Sequence, residues 1–219
     1  MSNLRYKFKL CLVGNSKAGK THYVNKLTNR PEDTEPTIGV DFKCHLIVSN
    51  GYDYRFQIYD TSGLRCFYEI TKSYFDITNI FVIFVDPFNF KPNDLLFWIR
   101  EINDYKIKME VNLGDLKILI IINNHYGDDI IKSFNKTYHG VLHKNNYEVI
   151  YLDKNNINAP LKYIIDYYEK KISKYGHQDT TSVTKINKFA NTTKSINTPL
   201  LEQGDGITTT GCSKCCVIL

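Results

Sequence analysis

Apolar residues along the chain are grouped into short runs that alternate with segments of mixed polarity. Two runs, residues 80–86 and 116–122, are almost wholly apolar, which is typical of strands buried on both faces of a sheet. Residues 54–60 instead alternate apolar and polar positions, which indicates a strand with one exposed face. The predicted strands are residues 7–14, 40–48, 54–60, 80–86, 116–122 and 148–152.

Segments with helical spacing separate these strands. Residues 22–28 predict a short helix that opens at Lys20, and residues 159–172 predict an amphipathic helix. Residues 95–105 place four apolar side chains on one face, namely Leu95, Trp98, Ile99 and Ile102. Strands that alternate with helices predict an α/β domain, with a mostly parallel sheet and helices on both faces. The turn at residues 49–51 predicts one hairpin, and therefore an antiparallel strand at the sheet edge.

The apolar periodicity stops after about Tyr175. Residues 176–211 are rich in Thr, Asn, Ser, Lys and Gly, a composition that buries too little apolar surface to fold. We therefore predict one domain over residues 1–172 and a flexible tail over residues 173–219.

Composition and charge narrow the class of protein. The 219 residues carry a net charge of +5 on scattered lysines, so we expect no nucleic-acid partner. No apolar run approaches the ~20 residues that span a bilayer, and charges interrupt the first apolar segment, which makes it a poor secretory signal. We expect a reducing, cytoplasmic compartment in which the six cysteines are thiols. His139 and His143 are four residues apart, but they lie near Gly140 in a helix of polar character, so we expect them at the surface rather than on a metal.

The segment GNSKAGKT, residues 14–21, matches the phosphate-binding pattern G-x-x-x-x-G-K-[ST] between a predicted strand and a predicted helix. Its two glycines allow backbone N–H groups to curl around phosphate oxygens. Lys20 supplies a charge to the β- and γ-phosphates, and the Thr21 hydroxyl is a ligand for Mg²⁺. Lys17 adds charge near the γ-phosphate or points to water. The predicted phosphate-binding residues of this loop are Gly14, Asn15, Ser16, Lys17, Ala18, Gly19, Lys20 and Thr21.

This loop and three further motifs resemble the Rab branch of the Ras-like small GTPases. TIGVDF at residues 37–42 has the same letters as the Rab effector region. The run from residue 63 to 75 is similar to the second switch, and WIREI at 98–102 is similar to the third helix. The resemblance covers residues 1–172 and the C-terminus. It implies a P-loop small-GTPase domain with a six-stranded sheet and five helices, which binds GTP or GDP with Mg²⁺. The effector region it implies is Thr37, Ile38, Gly39, Val40, Asp41 and Phe42.

The resemblance also implies phosphate-sensing roles for three residues. Thr37 would contact Mg²⁺ and the γ-phosphate, Asp60 would hold Mg²⁺ through a water, and the Gly63 N–H would contact the γ-phosphate. Loops that the third phosphate orders, and that relax when it leaves, would form a switch. Without the resemblance, Thr37 can be read as a strand cap and Asp60 as a turn residue.

Leu64 stands where the family has a glutamine that orients the attacking water. An isobutyl side chain neither accepts nor donates a hydrogen bond, so we expect intrinsic hydrolysis slower than the family's already slow rate. No intact catalytic residue is therefore predicted. Activating proteins of the Rab type resemble devices that supply both an arginine and a glutamine, so Leu64 does not exclude assisted hydrolysis.

The segment NNHYGDD, residues 123–129, departs from the N-K-x-D base-binding motif of the family. If Asn123 is the asparagine of that motif, Asn124 replaces the lysine and Tyr126 replaces the aspartate. If Asn124 is that asparagine, the next two motif positions are histidine and glycine. Neither register places a carboxylate where the N–H groups of guanine need an acceptor. A solvated loop without a binding role is a further reading.

Other base contacts of the family are also changed. Asp128 lies one residue beyond the second register and could reach back if the loop bulges. Of the family's S-A-K turn only Lys154 remains, and no aromatic residue lies between Val24 and Thr37 to cover the purine. The predicted base-binding residues are Asn123, Asn124, Tyr126 and Lys154.

The chain ends in GCSKCCVIL. The last four residues fit the C-a-a-X pattern, and the final leucine favours geranylgeranyl. Cys215 and Cys216 together resemble the doubly prenylated ending of Rab proteins, and two lipid groups anchor a protein more stably than one. A zinc site would need four ligands, and no second cluster accompanies these cysteines. We therefore expect lipidation at Cys215 and Cys216.

Three functions fit these features to different degrees. The first is a Rab-like, prenyl-anchored GTPase on the cytoplasmic face of intracellular membranes, with a cytosolic pool. It would act in vesicle traffic with effector, exchange, activating and prenyl-binding escort proteins. The second is a pseudo-GTPase that serves as an anchored binding module, which Leu64 and the altered base loop favour. The third, a P-loop nucleoside kinase, lacks an arginine-rich lid segment. We expect the first, with weak intrinsic hydrolysis.

Overall fold

The computed structural model describes residues 4–31, 35–108, 117–123, 127–143, 147–152 and 155–175. Within these ranges six strands and five α-helices confirm the predicted α/β class. The strands are β1 Leu4–Val13, β2 Val40–Ser49, β3 Tyr52–Thr61, β4 Ile80–Val85, β5 Lys117–Asn123 and β6 Glu148–Leu152. The helices are α1 Lys20–Leu27, α2 Tyr68–Ser73, α3 Pro92–Lys108, α4 Asp128–His143 and α5 Ala159–Tyr175. Short 3-10 turns lie at Arg65–Phe67 and Phe75–Ile77.

The six strands form one sheet in the order β2-β3-β1-β4-β5-β6. The β2–β3 pair is antiparallel and lies at one edge, as predicted, and the other pairs are parallel. Parallel strands end at the same edge of a sheet, so the residues that follow Val13, Thr61 and Val85 are brought together with Asn123. This edge is where ligands bind in open α/β sheets.

A two-residue turn joins β2 to β3. Ser49 pairs with Tyr52 across the hairpin, and the two residues between them have positive φ angles, 51° at Asn50 and 76° at Gly51. Asparagine and glycine are the residues that adopt this left-handed conformation most readily. The predicted hairpin is therefore confirmed, and its sequence fixes the register of the edge strand.

Two apolar cores cover the faces of the sheet. On β1, Phe8, Leu10 and Leu12 pack toward α1 and α5, whereas Cys11 and Val13 pack toward α3 and α4. All six residues of β4 are buried because helices cover both of its faces. The continuous apolar runs that predicted buried strands have this physical origin.

Some element bounds differ from the predictions. Helix α3 begins three residues before the predicted start, and α5 continues to Tyr175, three residues past the predicted end of the domain. Leu116, the first residue of the predicted fifth strand, lies outside the described residues. Helix α4 is amphipathic rather than polar, because Phe134 and Leu142 are buried against the sheet. None of the helices in the described ranges has the length and apolar character to cross a membrane.

Candidate nucleotide-binding site

The GNSKAGKT loop connects the end of β1 to the start of α1, as its pattern predicts. Gly14 has a φ of 135°, and a Cβ placed on it would lie 2.5 Å from the carbonyl oxygen of Phe84, so this position requires glycine. Gly19, with a φ of 93°, precedes the first residue of α1. Lys17 is exposed and adopts a left-handed φ of 66° between them.

Lys20 is a buried cation held by the loop that precedes it. Its Nζ donates hydrogen bonds to the carbonyl oxygens of Gly14 at 2.8 Å and Asn15 at 2.9 Å. Burial lowers the pKa of Lys20 to about 8, although the nearby Asp60 opposes that shift. A buried ammonium group that is only partly compensated favours an anionic ligand in the adjacent space.

Oxygen atoms of three side chains meet beside Lys20. Asp60 is only 1% exposed, and its Oδ1 has no hydrogen-bond partner among the described residues. Burial raises the pKa of Asp60 to about 6, against the opposing effects of a hydrogen bond from Thr21 and the charge of Lys20. The Oγ1 atoms of Thr21 and Thr37 lie 2.8 Å apart. A buried carboxylate with a free oxygen and two hydroxyl groups is a donor set that suits Mg²⁺.

These positions argue against the alternative interpretations of Thr37 as a strand cap and of Asp60 as a turn residue. The Thr37 side chain contacts the Thr21 hydroxyl instead of capping a strand end, and Asp60 lies inside β3 rather than in a turn. The residue that follows β3 also contacts the segment before β2, because the Ser62 N–H donates a hydrogen bond to the carbonyl oxygen of Gly39 at 2.8 Å.

Gly63 lies directly on the phosphate loop. A Cβ placed on it would be 2.1 Å from the backbone nitrogen of Ser16 and 2.2 Å from the carbonyl carbon of Asn15. Such distances exclude any side chain at this position without a shift of the backbone. The next residue, Leu64, is half-buried, and its N–H donates a hydrogen bond to the Ser62 hydroxyl at 3.3 Å. Its side chain has no polar atom with which to hold a water.

A cavity of about 230 Å³ is bounded by the phosphate loop, Thr37 and the segment from Thr61 to Gly63. A larger cavity of about 630 Å³ lies on the other side of the loop, toward Asp86 and α3. The smaller cavity contains the Lys20, Thr21 and Thr37 groups, so it is the candidate site for the terminal phosphate and Mg²⁺.

Of the four predicted base-binding residues, Asn123 alone lies within the residues that the structure describes. It is the last residue of β5 and only 8% exposed. Its Nδ2 lies 2.6 Å from the position that a Cβ on Gly19 would occupy, so the asparagine packs against the phosphate loop. This placement favours the register in which Asn123 is the motif asparagine. Asn124, Tyr126 and Lys154 lie outside the described residues, as do Cys215 and Cys216.

The predicted effector region includes an exposed ring, Phe42, that packs on less exposed aromatic residues. Ile38 is 82% exposed, and the Phe42 ring lies 5.3 Å from Tyr59, which in turn lies 5.3 Å from Tyr74. Sequence reasoning gives no role to Tyr59 or Tyr74 because the pairing of Phe42 with Tyr59 depends on the β2–β3 register. In the sequence, the β2–β3 register is indicated only by the Asn50-Gly51 turn.

A loop, a buried lysine and a carboxylate at the end of parallel strands define a P-loop nucleotide-binding domain. The family model for Roc, the Ras of Complex domain of DAPkinase, matches residues 9–126. The chain belongs to the Ras superfamily of small GTPases, a family of GTP hydrolases, and its relatives are of the Rab type.

Three relatives illustrate this likeness. The Ras-related protein Rab-30 of Homo sapiens is 35% identical over 112 residues, which cover 48% of this chain and 53% of that protein. The Ras-related protein Rab-10 of Caenorhabditis elegans is 30% identical over 150 residues, which cover 65% and 75%. The GTP-binding protein YPT1 of Saccharomyces cerevisiae is 35% identical over 107 residues, which cover 48% and 52%. The chain thus matches only about half the length of Rab-30 and YPT1.

Proposed function

We propose that this protein is a prenyl-anchored, GTP-binding switch of the Rab type that acts in intracellular membrane traffic and hydrolyses GTP slowly on its own. The observation that supports this proposal most is the meeting of Lys20, Thr21, Thr37 and Gly63 around one small cavity. The buried Asp60 carboxylate lies beside them and interacts with Thr21 and Lys20. These residues come from three separate segments, so their meeting is a property of the fold rather than of one motif.

Each group has a distinct role in the proposed binding. The backbone of the phosphate loop and Lys20 would bind the phosphates. The Thr21 and Thr37 hydroxyls would hold Mg²⁺, and the free oxygen of Asp60 would hold it through a water. When bound, Mg²⁺ neutralises charge on the phosphate oxygens. Thr37 and Gly63 lie in the two loops that flank the cavity, so contacts with a third phosphate order both loops together.

Slow hydrolysis follows from the position after Gly63. Phosphoryl transfer depends mostly on positioning and electrostatic stabilisation, and the Leu64 side chain cannot orient a water. An activating protein that supplies polar groups in trans would restore turnover. Exchange, effector and escort proteins are the other partners we propose. Effectors would dock at residues 37–42, where the exposed Phe42 ring packs on the Tyr59 ring.

A second candidate is a pseudo-GTPase that serves as an anchored binding module. The observation that favours it is the NNHYGDD segment, because with Asn123 at the motif asparagine no carboxylate falls at the guanine-recognising position. The two candidates differ in whether guanine nucleotide is retained with Mg²⁺.

We expect the full chain to retain a fluorescent GDP analogue in Mg²⁺, and removal of Mg²⁺ with a chelator to speed its release by about tenfold or more. Thr21→Ala should release the analogue fast with or without Mg²⁺, because a ligand of the ion is lost. Thr137→Ala, an exposed threonine on α4, is the matched control and should behave as the parent protein. Competition with unlabelled GTP and ATP reports base preference. Failure to bind the analogue, or release indifferent to Mg²⁺, would support the pseudo-GTPase.

We also propose geranylgeranyl groups on Cys215 and Cys216. In protein produced in a eukaryotic host, mass spectrometry of the C-terminal peptide should show two such groups, and the chain should sediment with membranes. Cys215→Ser should carry one group and partition reversibly, because a single lipid chain binds weakly. The double serine variant should be wholly soluble, and Cys66→Ser, an exposed cysteine of the domain, should sediment as the parent does. An unmodified peptide in the parent protein would refute the anchor.

A further inference from the structure

Part of the sheet remains exposed near the start of β1 and β3. Lys7 pairs with Arg55 across β1 and β3, and Arg55 pairs with Leu46 across β3 and β2. Directly paired residues point to the same face of a sheet, and Val48 lies on that face two residues after Leu46. All four side chains are exposed, Leu46 to 51% and Val48 to 66%. We call these four residues the sheet-end surface.

The residues that alternate with this surface explain its composition. Tyr6, Ile47 and Tyr54 point to the opposite face of the sheet, where they pack into the core beneath α1 and α5. On the exposed face, the second core includes Cys11 of β1 but does not reach Lys7. The neighbouring strand β4 also pairs with β1 only from Leu10 onward. The start of β1 is therefore left to solvent on this face.

The sheet-end surface is positively charged. Within the part of the chain that the structure describes, no carboxylate forms an ion pair with Lys7 or Arg55. Lys9 adds a third cation two residues along β1, and burial together with the nearby charge of Lys7 lowers the pKa of Lys9. One acid, the half-buried Asp53, lies on the same face opposite Val48. The cations outnumber this acid, so the surface favours an anionic partner.

The segment that follows α5 leaves the domain at the same end of the sheet. Glu169, near the end of α5, accepts a hydrogen bond at 2.8 Å from the hydroxyl of Tyr54, the residue before Arg55. Tyr175, the last residue of α5, lies six residues further on, about 9 Å along the helix axis. The phosphate loop follows the other end of β1. The segment that carries the proposed prenyl groups thus starts at the end of the domain where the sheet-end surface lies.

We propose that the sheet-end surface contacts an anionic lipid bilayer. Lys7 and Arg55 would lie at the headgroups, and Leu46 and Val48 would enter the boundary with the acyl chains. None of the four residues is aromatic, whereas aromatic side chains dominate the energetic centres of protein interfaces. The orientation of the anchored protein rests on the proposed function: the phosphate loop and Thr37 would face away from the membrane, toward soluble partners.

Binding of the unprenylated full chain to vesicles tests this surface by itself. The chain is produced in bacteria, which do not add prenyl groups to Cys215 and Cys216. The readout is the partition coefficient onto vesicles of phosphatidylcholine with phosphatidylserine and onto vesicles of phosphatidylcholine alone. Each is measured at low and at high salt, because salt screens the attraction between exposed charges.

Two double variants separate the charged and apolar parts of the surface. The charge variant carries Lys7→Gln and Arg55→Gln, and the apolar variant carries Leu46→Thr and Val48→Thr. The matched control carries Arg100→Gln and Lys136→Gln, which remove the same charge from exposed positions on α3 and α4. Urea unfolding of each variant checks that it is folded, and the charge and apolar variants test the surface independently of each other.

The parent protein should partition more strongly onto vesicles with phosphatidylserine than onto neutral vesicles, and high salt should weaken this preference. The charge variant should lose about tenfold or more in partition coefficient, since one cation near an anionic membrane contributes about fivefold. The apolar variant should lose about threefold and keep the salt dependence of the parent protein. The control should lose less than about twofold, because its charges lie away from the bilayer.

Three results would overturn the proposal. The first is equal binding of the parent protein to both kinds of vesicle. The second is an equal loss in the charge variant and the control, which would assign binding to net charge. The third is binding of polyglutamate through Lys7 and Arg55 without binding of vesicles, which would assign the surface to an acidic protein segment. The experiment needs neither nucleotide nor prenyl groups, so failure of the surface and failure of the proposed function are distinguishable.

Discussion

Leu64→Gln is expected to raise the intrinsic rate of GTP hydrolysis by about tenfold or more, the scale of one well-placed polar group in a transition state. The backbone at this position is already set, because the Leu64 N–H donates to the Ser62 hydroxyl and Gly63 rests on the phosphate loop. A glutamine side chain from the same backbone position carries both a donor and an acceptor for a water. The measurement is the single-turnover release of phosphate from GTP-loaded protein with Mg²⁺ and no activating protein.

Leu64→Met is the matched control for this experiment. Methionine has a similar volume and flexibility to glutamine but offers no useful hydrogen bond to water, so its rate should remain that of the parent protein. Equal rates in all three proteins would mean that the side chain at position 64 does not limit hydrolysis. A rise in both variants would indicate that removal of leucine, rather than the amide, is responsible.

Asp60→Asn is expected to have opposite effects on stability and on ligand binding. In protein freed of nucleotide and Mg²⁺, it should raise the free energy of unfolding at pH 7 by about 1 to 3 kcal/mol, because burial penalises the ionised carboxylate. The lower figure allows for the fact that the substitution also removes the attraction between the Asp60 carboxylate and the buried Lys20 cation. The same change should weaken Mg²⁺-dependent nucleotide binding, since a neutral amide holds the water bound to Mg²⁺ less strongly than a carboxylate does.

The pH dependence gives a separate check on Asp60. Its folded-state pKa is raised to about 6 from 3.8, so the folded protein keeps a proton that the unfolded chain has already lost. The contribution of Asp60 to the free energy of unfolding therefore falls as pH rises from about 4 to about 6, and it stays constant above that range. Asp60→Asn should lack this fall in urea unfolding experiments.

Asp166→Asn, at an exposed position on α5, is the control for these measurements. Its free energy of unfolding should remain within about 0.5 kcal/mol of the parent value. Lower stability of Asp60→Asn at pH 7, without ligand, would contradict the view that burial of the ionised Asp60 carboxylate destabilises the ligand-free protein.

The sequence predicted those parts of the fold and site that depend on neighbouring residues. Continuous apolar runs identified the strands that helices cover on both faces, and the Asn50-Gly51 pair identified the hairpin, because each is a local consequence of burial or backbone conformation. The phosphate loop is predicted for the same reason, because its whole pattern lies in one short segment. Helix α4 was read as polar because its few buried side chains, such as Phe134 and Leu142, are far apart in the sequence.

Contacts between distant segments could not be predicted in the same way. Asp94 and Asn15 are 79 residues apart, and nothing in either segment indicates that the first turn of α3 reaches the phosphate loop. The choice between Asn123 and Asn124 was likewise open, since an apolar run followed by two asparagines does not say where the strand ends. The packing of Asn123 against Gly19 comes from the tertiary arrangement of β5 beside the loop.

The nucleotide that accompanies the freshly purified protein tests the central claim most directly. Mg²⁺ is kept throughout purification, and the bound nucleotide is released with acid and identified by chromatography. A GTP-binding switch that hydrolyses slowly should carry guanine nucleotide, mostly as GTP. Mostly GDP would contradict the slow hydrolysis assigned to Leu64, and an empty site that takes up no guanine nucleotide on addition would contradict the switch itself.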